Sequence, residues 1–83
     1  MSITEEELRM IVDRCNATTP GPWRSLVEGR DFTSGSSIIQ TAAQDLELAG
    51  SGASTEDQDF IASAKQDIPR LAAEIAKLKG WQL

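Results

Sequence analysis

Pro20-Gly21-Pro22, set directly before Trp23, constrains this chain more than any other segment. Proline lacks a backbone N–H and holds φ near one value, so neither an α-helix nor a central strand runs through such a triplet. The segment therefore divides an N-terminal part with a helical period from a middle part without one. It also fixes the backbone beside a large aromatic ring.

Upstream, Thr4 followed by Glu7 reads as a capping box. Leu8, Ile11, Val12 and Cys15 recur at i, i+3, i+4 and i+7, which makes one apolar stripe. Glu5, Glu6 and Glu7 fill the first turn, where the helix dipole favours acids. The pattern predicts a helix over residues 4–16, ended by the run from Asn16 to Pro20. After Pro22 three short runs follow: Trp23 to Glu28, Ser37 to Ala42, and Asp45 to Ala49, where Leu46 and Leu48 alternate with Glu47. They read as a small antiparallel meander. The first connection, about Gly29 to Ser36, exceeds a tight hairpin turn, and long loops more often carry function.

Gly50-Ser51-Gly52 breaks the chain again. Thr55 with Gln58 reads as a second capping box, and Phe60, Ile61 and Ala64 as the apolar face of the helix it starts. Asp67-Ile68-Pro69 interrupts that helix, with Asp67 placed to cap a new one. Ile68, Leu71, Ala72, Ile75 and Leu78 continue a stripe toward Lys77, Lys79 and Gly80, a C-terminal signature. The expected architecture is one α+β domain over residues 1–83. It has an N-terminal helix, a small three-stranded antiparallel sheet, and either a kinked C-terminal helix or two short ones, with the helices on one face of the sheet.

A domain of 83 residues buries only roughly 60–65% of its unfolded surface. A ligand is thus expected at an edge or between subunits. The net charge of -5 argues against a nucleic-acid polymer and an anionic membrane, both of which call for clustered Lys and Arg. No run approaches the about 20 apolar residues of a membrane span. The acidic start, Met-Ser-Ile-Thr-Glu-Glu-Glu, has no signal-peptide apolar region. Cys15 is alone, so no internal disulfide forms, and a cytoplasmic location is expected.

Histidine is absent, which removes the commonest general base and metal ligand. Cys15 lacks an activating imidazole and reads as a buried structural thiol. Ser34, Ser36 and Ser37 have no partners for a catalytic triad. Asp57-Gln58-Asp59 lacks the spacing of a calcium loop. No enzyme, metal or cofactor is expected. Arg24 and Arg30 are the only basic residues between Arg14 and Lys65, and they flank a segment holding Trp23, Thr33, Ser34 and Ser36. Guanidinium groups bind phosphate bidentately, hydroxyls complete such a site, and an indole stacks on a base. Plainer roles stand beside this one: Arg24 paired with Glu28 or Glu47, Trp23 as core, and Thr33-Ser34-Gly35-Ser36 as a solvated turn. Trp81 and Leu83 follow Gly80, and either fold back on the core or form a partner surface.

Thr18-Thr19-Pro20-Gly21-Pro22-Trp23-Arg24 resembles the Ala-Thr-Pro-Gly-Pro-Trp element of small uncharacterised proteins from phages and bacterial genomes. Residues Phe60-Ile61-Ala62-Ser63-Ala64-Lys65-Gln66-Asp67-Ile68-Pro69-Arg70-Leu71 are similar to their C-terminal element, Phe-Ile-Ala-x-Ala-Arg-x-Asp-(Val or Ile)-Pro-x-Leu. The segment from Glu28 to Ser37 also looks like one found in some members. The chain departs from the pattern at Thr18, usually alanine, and at Lys65, usually arginine. The resemblance implies a source, not an activity.

The leading expectation is a non-enzymatic phage-type binding protein. It would sequester a small anionic, nucleotide-like ligand, such as a host immune signal, at the interfaces of a homo-oligomer. Trp23, Arg24, Arg30, Thr33, Ser34 and Ser36 are its expected ligand contacts. The alternative is an acidic inhibitor or immunity-type protein that presents Asp13, Asp45, Glu47, Asp57 and Asp59 to a basic protein partner. A third reading is an accessory domain that only self-associates.

Overall fold

In the computed structural model, which describes residues 2–83, the first helix starts where its capping box places it. Thr4 Oγ1 accepts the Glu7 N–H at 3.1 Å, and Glu7 Oε1 accepts the Thr4 N–H at 3.0 Å. The helix, α1, spans Glu5–Ala17. Three strands follow: β1 (Arg24–Leu26), β2 (Ile38–Gln40) and β3 (Leu46–Glu47). They form one antiparallel sheet in the order β1-β2-β3, with Arg24 opposite Gln40, Leu26 opposite Ile38, and Ile39 opposite Leu46. An N-terminal helix, a three-stranded antiparallel sheet and a C-terminal helix match the expected α+β architecture.

The strands are shorter than their sequence runs. The alternation sets Leu46 and Leu48 on one face of β3's run, yet Leu46 is exposed and Leu48 only half-buried. The C-terminal helix packs on β1, and β3 lies two strands further out. Ile39, at the centre of the sheet, is the strand residue that becomes fully buried.

That C-terminal helix, α2, is a single element spanning Thr55–Lys79. Its N-cap is Ser54 rather than Thr55. Ser54 Oγ accepts the Asp57 N–H, and Asp57 Oδ2 accepts the Ser54 N–H, each at 3.0 Å. Pro69 lies within α2 without ending it, and Asp67 is an exposed helical residue rather than a new cap. The two-helix expectation gives way because α2 is held on both sides of the proline. Gln58 and Gln66 bond to the sheet segment before it, and Ala72 and Ala76 pack on α1 after it.

The buried face of α2 also differs from the expected one. Of the expected apolar face and stripe, Ala72 is buried and Ala64 and Ile75 are half-buried, whereas Phe60, Ile61, Ile68, Leu71 and Leu78 are exposed. The side buried within the chain is Gln58, Ala62, Ala72 and Ala76, with Lys65 and Gln66 half-buried. Small side chains let α1 approach closely, and Leu8 fills the space between the helices. Ile3, Val12, Ile75 and Trp81 pack around this cluster.

Gly80 ends α2 at φ +74°, a left-handed conformation that glycine adopts without a Cβ clash. The Trp81 N–H donates to Ala76 C=O at 2.8 Å and the Gly80 N–H to Lys77 C=O at 3.3 Å, the two bonds of a Schellman motif. Trp81 thereby folds back onto the Leu8–Ala76 cluster, the first of the two roles foreseen for it. Arg9 secures the terminus, with Nη2 donating to Gln82 C=O at 2.9 Å and to Glu5 at 2.8 Å.

Candidate functional site

The Pro-Gly-Pro segment and the centre of α2 meet at Trp23. The Gln66 side chain accepts the Trp23 N–H at 2.9 Å and donates to Ala62 C=O at 3.0 Å and Trp23 C=O at 3.4 Å. Trp23 Nε1 donates to Thr19 C=O at 2.9 Å, across a segment whose Gly21–Pro22 peptide is cis. Eight residues before Gln66, buried Gln58 donates to Leu26 C=O at 3.2 Å and Ile38 C=O at 2.8 Å, joining β1 and β2 to the helix. Gln58 is thus a sheet anchor rather than half of a capping box. The Pro-Gly-Pro-Trp segment and the α2 segment around Gln66 are thus in direct contact.

Lys65 completes the junction. Its Nζ donates to Cys15 C=O at 3.0 Å and to Thr18 Oγ1 at 2.7 Å, and lies 5.7 Å from the centre of the Trp23 ring. The ammonium therefore sits at the C-terminal end of α1, where the dipole favours a cation, and over an aromatic face. Thr18 and Lys65, the two departures from the resembled pattern, are hydrogen-bonded to each other. A compact ammonium gains an acceptor from the hydroxyl that alanine would not supply.

An open groove of about 520 Å³ runs along this junction, lined chiefly by Ile11, Arg14, Trp23, Ile61, Lys65 and Ile68. Arg14 makes no ion pair among the described residues. Cys15 is half-buried at the same wall instead of enclosed in the core.

The six residues expected to bind ligand are not gathered into one cleft. Trp23 faces the groove just described. Ser36 borders a second hollow with Glu28, Ser37 and Ser54, which has no basic residue in its lining. Thr33 and Ser34 are exposed. Gly35 has φ +111°, and a Cβ there would sit 3.4 Å from the Phe32 ring, so its demand is conformational. Arg24 is exposed and makes no ion pair among the described residues. Its neighbour across the sheet is Gln40, and Glu47 lies beyond β2.

Arg30 is fully engaged in the fold. Nη1 and Nη2 hold the two Asp59 oxygens at 2.8 and 3.1 Å, while Nε and Nη2 reach Asp31 Oδ2 at 3.0 and 2.9 Å. Asp31 Oδ2 also accepts the Val27 N–H at 2.8 Å. The Arg30 guanidinium holds the Asp59 carboxyl down at about 2, with help from the Ser25 hydroxyl beside it. That hydroxyl is buried and has no hydrogen bond of good geometry. Asp31 is lowered as well, first by Arg30 and then by the Val27 N–H. Arg30 therefore fastens the β1–β2 loop to α2. No sequence signal joined it to Asp59, since the partners lie 29 residues apart. Of the acids assigned to a docking face, Asp57 caps α2 and Asp59 pairs with Arg30, leaving Asp13, Asp45 and Glu47.

Among the described residues no group of three His, Cys, Asp or Glu side chains is placed to hold a metal, and no helix is long and apolar enough to cross a membrane. No family model, curated protein or solved structure matches the chain.

Proposed function

We propose that this protein is a non-enzymatic binder that sequesters a small anionic ligand bearing a planar, nucleotide-like group. The ligand lies in the Trp23 groove, with its charge toward Arg14 and Lys65, within a homo-oligomer. The observation that supports this reading is the presence of an indole and two basic side chains in one groove of about 520 Å³. That volume falls within the roughly 300–1,000 Å³ of small-molecule sites. An ammonium carries three N–H donors, and Lys65 uses two of them within the chain. Arg14 keeps its guanidinium fork for a phosphate or carboxylate. Ile11, Ile61 and Ile68 offer apolar cover for a ring system. The second hollow, with Glu28 and no cation, suits an anion less well. A chain without imidazole is better equipped to hold such a molecule than to turn it over, as a phage protein that removes a host signal does.

Thermal stability measured against a panel of cyclic and linear nucleotides tests the proposal. A ligand at a hundred times its dissociation constant stabilises the protein by about 2.7 kcal/mol. Arg14→Glu is expected to abolish the response and Arg24→Ala to retain it. If no nucleotide stabilises the protein, the reading fails. If Arg24→Ala abolishes the response while Arg14→Glu keeps it, the ligand belongs at the start of β1 instead.

A further inference from the structure

The flank of α2 beside its α1-facing side carries Ile61, Ala64, Ile68, Leu71, Ile75 and Leu78 at alternating spacings of three and four. That is a heptad seam, with isoleucine at every a position (Ile61, Ile68, Ile75) and Ala64, Leu71 and Leu78 at d. Within one chain the seam is only partly covered: Ile75 touches the Leu8 cluster and Ala64 is half-buried, but Ile61 and Ile68 are each 40% exposed, Leu71 62% and Leu78 77%. Phe60, beside it, is 74% exposed. The single chain is also too open for its size. Its radius of gyration is 15.4 Å, against about 12 Å for a compact domain of this length. Its accessible area is 6002 Å², about 1,150 Å² more than a folded monomer of this mass presents. A stable interface takes about 800 Å² from each partner, so the excess is more than enough for one.

From this face we infer that α2 forms a parallel, two-stranded coiled coil with α2 of a second copy of this chain, through Ile61, Ile68, Leu71, Ile75 and Leu78. Isoleucine at a with leucine at d favours two parallel strands. Charge at the flanking positions selects the same orientation. In parallel register Glu74, at g, meets Lys79 of the second copy, at the following e. The antiparallel alternative, with Ile61 matched to Leu78, sets Asp67 against Glu74 of the other copy. The seam spans only two and a half heptads, less than an isolated coiled coil needs. Here α2 is already ordered by α1 and the sheet, so association does not have to fold it. Leu8, Ala72 and Ala76 remain as they are, since the second copy takes the adjoining flank, about a quarter turn round the helix from the two alanines. The pairing deepens the binding proposal, because Ile61, Ala64 and Ile68 also wall the Trp23 groove and the second helix roofs it.

Sedimentation equilibrium of the full chain without ligand tests the interface separately from the ligand reading. The expected mass is twice 9.0 kDa. Leu71→Glu is expected to halve it while leaving the helical circular dichroism in place, since Leu71 contributes little to the single chain's core. Orientation is read with Leu78→Cys in a Cys15→Ser background, which is expected to give a cross-linked dimer on mild oxidation. A mass of one or three chains overturns the proposal, as does a dimer that Leu71→Glu leaves intact. A dimer that does not cross-link through residue 78 overturns the parallel arrangement.

Discussion

Gln66 treats Trp23 as a neighbouring strand would: its carboxamide accepts the tryptophan N–H at 2.9 Å and faces the tryptophan C=O at 3.4 Å. A helix side chain thus supplies the backbone partners that a chain entering from Pro-Gly-Pro cannot find on its own side of the sheet. Gln58 does the same for Leu26 and Ile38. The sheet is attached to α2 by amides more than by apolar volume.

Gln66→Ala leaves the half-buried Trp23 N–H without its partner, and such a loss costs roughly 1–3 kcal/mol. Urea unfolding should show a lower midpoint, with a change in tryptophan fluorescence in the native baseline. A midpoint unchanged from wild type shows that water replaces the amide at no loss.

Lys65 and Thr18 should behave as a coupled pair. Lys65→Ala removes the cation from the end of α1 and from the Trp23 ring, and about 1 kcal/mol is expected to be lost. Lys65→Arg together with Thr18→Ala should destabilise less than the two single changes added. Additivity across that double-mutant cycle removes the coupling.

The Arg30 clamp gives stability a defined acid limb. The folded Asp59 value is depressed from 3.8 to about 2, so its contribution is full above 3.8 and fades as pH falls through about 2. At neutral pH Asp59→Asn should melt below wild type, and the gap should close between about pH 4 and 2. A gap still undiminished at pH 2 contradicts the clamp as its source. High salt should shrink the neutral-pH gap too, because the pair is solvent-exposed.

Gly80→Ala places a Cβ at φ +74° and loosens the Schellman bond to Trp81. A loss of about 1 kcal/mol is expected. Trp81 emission should shift to the red as the ring leaves Leu8. Unchanged emission means that the ring is held by packing alone.

Local signals were legible and distant ones were not. The box between Thr4 and Glu7 is written within four residues, and α1 follows it. At the second box, Ser54-Asp57 and Thr55-Gln58 carry the same spacing, and the anionic acceptor won. Periodicity located the large apolar residues of α2 but did not say which side meets the rest of the chain. Alanine and glutamine took that place because α1 and β1 approach closely there. For the candidate site, Trp23 was visible from its rigid neighbours. Arg14 and Lys65 were passed over because their convergence depends on α1 lying against α2. Arg30 looked free only because Asp59 belongs to another element.

The scarcity of large side chains among the buried residues bears on how the molecule responds to heat. Among the described residues Leu8 and Ile39 are the only big apolar groups wholly sealed from water within one copy, and three alanines are buried as well. Unfolding a lone chain therefore hydrates little hydrocarbon, and the heat-capacity increment that bends a stability curve stays small. Calorimetrically, a single copy is expected to show a broad, shallow endotherm and little tendency to cold-denature.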